Sequence, residues 1–153
     1  MWTASWLVLV SDPGAGDGSP SRSARRHSAR SWAAGSSYSF AVTDADDAVL
    51  GNVALGAVDQ VHGTGWVSYW TTSAARGRGV ATRAGAAVAE WAVTDVGLFR
   101  LELGHRMNNP ASCRVATRAG FPAEGVQRQK LVYDGVRHDV ELHARLATDP
   151  VPS

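Results

Sequence analysis

The stretch AARGRGVAT, Ala74 to Thr82, decides how the rest of the chain is read. Before it, GWVSYWTT (Gly65 to Thr72) has the aromatic and β-branched character of a strand. After it, VATRAGAAVAEWAVTDV puts Val80, Ala84, Ala87, Val88 and Trp91 at helical spacing, with Arg83, Glu90 and Thr94 on the other side. Gly97 is a suitable stop for this helix. A strand, a glycine-containing loop and an amphipathic helix in that order make a site for an anion. The first N–H groups of a helix have no internal acceptor, and the macrodipole adds roughly half a positive charge there. Gly77 and Gly79 have no Cβ to hold an anion away from those amides, and Arg76 and Arg78 add charge at the rim.

Two common nucleotide patterns fail on spacing. A P-loop needs a lysine after its last glycine, and the only lysine of the chain is Lys130. A dinucleotide fingerprint needs G-x-G-x-x-G, but Thr82 stands three residues after Gly79. Glycine–arginine runs also occur in disordered RNA-binding tails, a reading that the well-patterned helix argues against.

Outward from the loop, Tyr38, Phe40 and Val42 alternate with small or polar residues, TDADD supplies a turn, and Val49, Gly51, Val53 and Leu55 alternate again. This predicts an antiparallel hairpin. On the other side, LFRLELGH gives a short strand with Leu101 and Leu103 on one face. NNPASCRVATRAGF predicts a second helix: Asn109 is a natural N-cap, Pro110 suits the first helical position, and Gly120 closes the helix in a left-handed C-cap with Phe121 folding back onto it. In VQRQKLVYDGVRHDVELHA, Asp134-Gly135 favours a tight turn between two strands. The order is strand, strand, strand, helix, strand, helix, strand, strand, with no internal repeat, which makes an α/β (α+β) domain.

A chain of 153 residues suits one domain, and a net charge of +1 gives no case for a nucleic-acid or membrane partner. The single cysteine, Cys113, excludes an intramolecular disulfide and a Cys-based zinc cluster and fits a reducing cytoplasm. MWTASWLVLV is apolar but has no basic flank and falls short of the roughly twenty residues of a membrane helix, so neither signal peptide nor span is expected. From Ser11 to Arg30 apolar periodicity is lost and turn formers abound, which predicts a mobile segment. Its Arg22, Arg25, Arg26 and Arg30 are read as solvated, the competing reading being an RNA-interacting tail. The expected division is an atypical segment over 1–31, a folded domain over 32–149 and a tail over 150–153.

Arg76-Gly-Arg-Gly-Val-Ala81 between strand and helix resembles the acetyl-coenzyme A pyrophosphate loop of the GNAT superfamily of N-acetyltransferases. Asn109, Ser112, Gly120 and Phe121 fit a second signature of that family, in which an asparagine opens a helix that ends in Gly-Phe. GWVSYWTT, NPAS and LVYDGVRHDVELHA further resemble its ribosomal-protein N-terminal acetyltransferase branch, over about Trp32 to Asp149. The resemblance implies a mixed, mostly antiparallel sheet flanked by helices, with acetyl-coenzyme A as acyl donor and no metal. It implies that backbone N–H groups of Arg76, Gly77, Arg78, Gly79, Val80 and Ala81 hold the pyrophosphate. Exposed backbone of Trp70, Thr71 and Thr72 would pair with the pantetheine arm, with Asn109 and Ser112 near that arm and its sulfur. A primary amine, on a peptide N-terminus or a small molecule, would attack the thioester directly in a ternary complex, in a cytoplasmic monomer or homodimer.

The chain also departs from the family. Where many members have a tyrosine acid, four residues before Gly-Phe, this chain has Ala116, and Ser112 is the candidate catalytic acid or thiolate donor instead. Its structural alternative is a first-turn serine that satisfies backbone. Trp66 stands where relatives often carry a glutamate base, which leaves Glu102, His105, His62 and Asp59 as candidates. Cys113 is not required as a nucleophile. Neutralising an α-amine of pKa about 8 at pH 7 costs about 1.4 kcal/mol, against nearer 4.6 kcal/mol for a lysine amine, so a weak base favours an α-amine or a low-pKa small amine. The family's opening strand and two helices are represented only by Trp6 to Val10, read as a strand. A coenzyme A-binding module impaired in catalysis is the alternative function.

Overall fold

The computed structural model describes residues 30–152. The strand read at Trp6 to Val10, and the segment expected to be mobile as far as residue 29, lie outside the described residues. Residues 30–33 form a helical turn that carries Trp32. The Trp32 ring packs against Tyr38, Phe40 and Trp91.

Three strands come first: β1 (Tyr38–Thr43), β2 (Val49–Asp59) and β3 (Thr64–Thr71). A short 3₁₀ turn (Ser73–Ala75) and the glycine loop lead into α1 (Val80–Thr94), followed by β4 (Arg100–Arg106) and α2 (Pro110–Arg118). Strands β5 (Ala123–Tyr133) and β6 (Val136–Leu146) complete the chain. The element order is the one the sequence predicts. Local chemistry explains why: Asn109 caps α2 with Pro110 in its first turn, and Gly120 has φ +86° just beyond the helix. Asp134 and Gly135 both have positive φ, as a tight two-residue turn requires.

The six strands form one sheet in the order β1-β2-β3-β4-β6-β5. Among the described residues only β3 and β4 run parallel and the other pairs are antiparallel, as the resemblance implied. The core joins Val53, Leu55, Val67, Leu101 and Leu103 of the sheet to Val88, Ala89 and Ala92 of α1 and to Ala116 of α2, with the fully buried Phe121 beneath. Strands β2 and β4 contribute alternate residues to this core, which holds residues of both helices. The helices come close at Gly85, where an added Cβ would make ordinary contact with that of Ala119 at 3.5 Å. Buried Arg145 of β6 reaches Glu90 of α1 at 3.0 Å and ties the far side of the sheet to that helix. Among the described residues no helix is long and apolar enough to cross a membrane.

Candidate functional site

The parallel pair is short. Strand β3 meets β4 only from Thr64–Arg100 to Trp66–Glu102, although β3 stays paired with β2 up to Thr71 and β4 stays paired with β6 up to Arg106. Beyond Trp66 the two strands therefore part, and the β4-facing edge of β3 is left without a strand partner. A cleft of about 560 Å³ opens there. Tyr69, Trp70 and Thr71 form one wall, the glycine loop and first turn of α1 form the floor, and Asn109, Ser112, Arg114 and Arg118 approach from α2.

The loop has the geometry of an anion cradle. Gly77 and Gly79 have φ +72° and +71°, a region costly for residues with a Cβ, so the loop's shape itself calls for glycine. A Cβ on Gly77 would meet nothing within 4 Å, and one on Gly79 would meet only the Arg83 guanidinium at 3.0 Å. Gly79 is the N-cap of α1 and offers no side-chain cap, and the first turn holds no acidic residue. The first helical bond runs from the Arg83 N–H to the Gly79 carbonyl, so the N–H groups of Val80, Ala81 and Thr82 have no intrahelical acceptor. The Arg76 N–H is instead donated to the Ser73 carbonyl at 3.3 Å, which shifts the available donors toward the helix. Among the described residues, the lining holds Arg76, Arg114 and Arg118 and no carboxylate. This donor set fits a polyphosphate.

Of the residues assigned to the coenzyme from sequence, all but Thr72 and Arg78 line the cleft. Thr72 donates its backbone N–H to Leu50 of β2, and the Arg78 carbonyl accepts from the Arg83 guanidinium at 3.0 Å. Sequence reasoning missed Tyr69, Thr82, Arg114 and Arg118. The two arginines were within reach: on a helix over Pro110–Arg118 they lie one turn apart, on the side that carries Ala111 and Val115.

At the mouth of α2, Asn109 Oδ1 accepts from the Ser112 N–H at 3.2 Å, while Asn109 Nδ2 donates to Ser112 Oγ at 3.0 Å. The Ser112 backbone amide is thus capped by Asn109 rather than by serine's own hydroxyl. Oγ receives one hydrogen bond and keeps its proton to donate. The Tyr69 hydroxyl donates to the Ser112 carbonyl at 3.3 Å, fastening β3 to α2, and burial pushes the Tyr69 phenol above its ordinary pKa.

None of the sequence-proposed bases borders the cleft. Glu102 is paired with Arg100 at 2.7 Å. Asp59 accepts the N–H groups of Val61 and His62 in the β2–β3 turn, and the bond from His62 leads in holding its carboxyl below the usual value. His62 is exposed in that same turn. His105 is buried against His143. Trp66 packs over Gly104 of β4, where a Cβ would meet its ring at 3.1 Å, and carries the Lys130 ammonium 5.5 Å from its ring centroid. The Glu141 carboxylate, bonded to the Cys113 thiol, pushes its pKa up.

The wedge between parallel strands, the glycine cradle and the Asn-capped second helix define the acyl-coenzyme A fold of the acetyltransferases. The chain belongs to the GNAT acetyltransferase family, whose acetyltransferase (GNAT) domain profile matches residues 5–122. That match begins well before Trp32, where the resemblance read from sequence starts. The chain is 33% identical over 116 residues to a probable N-acetyltransferase, YjcK, of Bacillus subtilis, with 73% of this chain and 63% of that one covered. It is 28% identical to the ribosomal-protein-serine acetyltransferase of Escherichia coli, covering 66% of this chain and 56% of the relative. The solved structure of Mycobacterium smegmatis RimJ in complex with CoA-disulfide superposes with a TM-score of 0.74 at 29% identity, over 80% of this chain and 58% of that one. The chain thus spans between about half and two thirds of the length of these relatives.

Proposed function

We propose that this chain transfers an acetyl group from acetyl-coenzyme A to a primary amine. The observation that carries this reading is the cleft itself, in which an uncapped helix N-terminus, three arginines and the proton-bearing Ser112 hydroxyl share the space opened by the parting of β3 and β4. The amides at the start of α1, with those of the loop, hold the pyrophosphate. The free edge of Trp70 and Thr71 pairs with the pantetheine arm as a further strand would. The amine nitrogen then attacks the thioester carbonyl: the C–N bond forms, the C–S bond breaks, and Ser112 hydrogen-bonds or protonates the departing thiolate. Among the described residues, no carboxylate or imidazole lines the cleft to take the proton lost by the amine.

A site with so weak a base favours an acceptor that is neutral at modest cost. An α-amine requires about 1.4 kcal/mol at pH 7 and a lysine-type amine about 4.6 kcal/mol, which points to a peptide N-terminus or a low-pKa small amine. The ribosomal-protein-serine acetyltransferase among the relatives supports a protein acceptor. The same shortage of bases favours a second reading, a module that binds coenzyme A without transferring acetyl. The two are separated by following thiol release from acetyl-coenzyme A with peptide N-termini, aminoglycosides, polyamines and amino acids as acceptors. Acceptor-dependent release with peptides is expected; binding of the coenzyme without release from any acceptor overturns the transferase reading and leaves the binding module.

A further inference from the structure

Behind the cleft, four side chains from three elements converge. They are His105 of β4, Cys113 of α2, and Glu141 and His143 of β6, whose donor atoms all lie within 4.8 Å of one another. None of them lines the coenzyme cleft. Strand register brings three of them together, since His105 stands opposite Glu141 and His143 lies two residues further along β6 on the same face. His143 is fully buried, His105 is 8% exposed, and Glu141 and Cys113 are partly open toward solvent.

The hydrogen bonds fix how the two rings are protonated. His105 Nδ1 faces the Arg106 carbonyl at 3.0 Å and His143 Nδ1 faces the Phe121 carbonyl at 2.8 Å. A carbonyl only accepts, so both Nδ1 atoms carry a proton and both neutral rings present a lone pair at Nε2. These lone pairs point at each other across 3.0 Å, with a Glu141 oxygen 3.2 Å from His105 Nε2 and 3.1 Å from His143 Nε2. Three acceptors thus meet at one buried point, an arrangement that calls for a shared proton or a metal cation among them.

We propose that His105 Nε2, His143 Nε2, the Glu141 carboxylate and the Cys113 thiolate bind one divalent transition-metal ion of the zinc type. Backbone carbonyls on both Nδ1–H groups are the outer contacts that orient metal-binding imidazoles and fix their tautomer. Tetrahedral zinc with these ligands separates its donor atoms by about 3.3–3.8 Å, so the three closest donors open by a few tenths of an ångström while Cys113 Sγ closes in from within 4.8 Å. Mixed nitrogen, oxygen and sulfur donors suit zinc or cobalt rather than magnesium or calcium. Four protein ligands leave no open position, so the ion is structural: it displaces the thiol proton and staples the first turn of α2, next to Ser112, to β4 and β6. A single cysteine does not argue against this, because imidazole and carboxylate supply the other donors.

Cobalt titration of the untagged full chain, stripped of metal with a chelator, tests the site. One equivalent of Co²⁺ is expected to bind with tetrahedral visible absorption and a thiolate-to-cobalt charge-transfer band. Cys113→Ser should remove that band, and Glu141→Gln, at a partly exposed position, should weaken binding at least tenfold. Zn²⁺ should displace the cobalt and raise the melting temperature of the wild type more than that of either variant. No stoichiometric uptake, with histidine NMR showing one proton shared between the rings, overturns the proposal; so does uptake that neither substitution changes.

Discussion

Ser112 keeps a proton to donate because Asn109 uses both ends of its amide on it, one on its N–H and one on Oγ. This separates the hydroxyl's chemistry from the helix's stability. Ser112→Ala should leave folding intact, since Asn109 Oδ1 still caps the backbone, while kcat falls on the order of 100-fold with KM for acetyl-coenzyme A little changed. A matched fall in melting temperature would mean instead that the hydroxyl's role is structural. At Gly79 conformation and function coincide, because a β-branched residue at φ +71° costs about 1–3 kcal/mol and sets its side chain against backbone that must meet the ligand. Gly79→Val should therefore lose stability and also lose coenzyme-induced stabilisation, as read by thermal unfolding with and without acetyl-coenzyme A. Gly97 is the control: its φ is +79° and nothing surrounds its Cβ position within 4 Å, so Gly97→Ala should cost stability and leave the coenzyme effect unchanged.

All six strands and the element ends set by local chemistry were legible in the sequence; how the strands meet across the sheet was not. Asn109, Pro110, Gly120 and the Asp134-Gly135 turn each state a backbone requirement within a few residues, and the structure bears them out. The early parting of β3 from β4 depends on how Thr64–Trp66 and Arg100–Glu102 meet across an intervening helix, and no local pattern encodes that register. The same distance hid the partner of Arg100, which bonds Glu124 at the start of β5, two strands away, as well as Glu102 on its own strand. The Arg100 guanidinium holds the Glu124 carboxyl below its usual range, and the pairs push Arg100 up. A carboxyl whose folded pKa is depressed contributes stability above its unfolded value, about 4.3, and loses it as pH falls through the folded value. Glu124→Gln should therefore lower the melting temperature at pH 7 and have no effect once the pH lies below the folded value. Because Glu124 is 40% exposed, the difference at pH 7 should stay under about 1 kcal/mol.

The cleft exists only in the assembled molecule. Its walls come from β3, the loop, α1 and α2, and their positions rest on contacts far apart in sequence: Tyr69 to Ser112, Trp32 to Trp91, and Arg145 to Glu90. The loop and the N-cap were visible as motifs in the sequence, but the arginines of α2 joined them only through this packing, as did the four donors behind the cleft. An unfolded chain gathers none of these groups, so acetyl-coenzyme A should bind the native state alone and shift unfolding by mass action. At a ligand concentration 100 times Kd the gain is about 2.7 kcal/mol. For a domain of this size that corresponds to a rise of roughly 5–11 °C in melting temperature, growing with the logarithm of concentration. Dephospho-coenzyme A and free pantetheine separate the contributions. Pantetheine lacks the diphosphate that the loop and the uncapped amides of α1 would hold, and should give little of the shift. Removing only the 3′-phosphate should give a smaller loss. Equal shifts from coenzyme A and pantetheine would place the binding energy on the β3 edge rather than in the cradle, and no shift with any of the three would remove the cleft's assignment to coenzyme A.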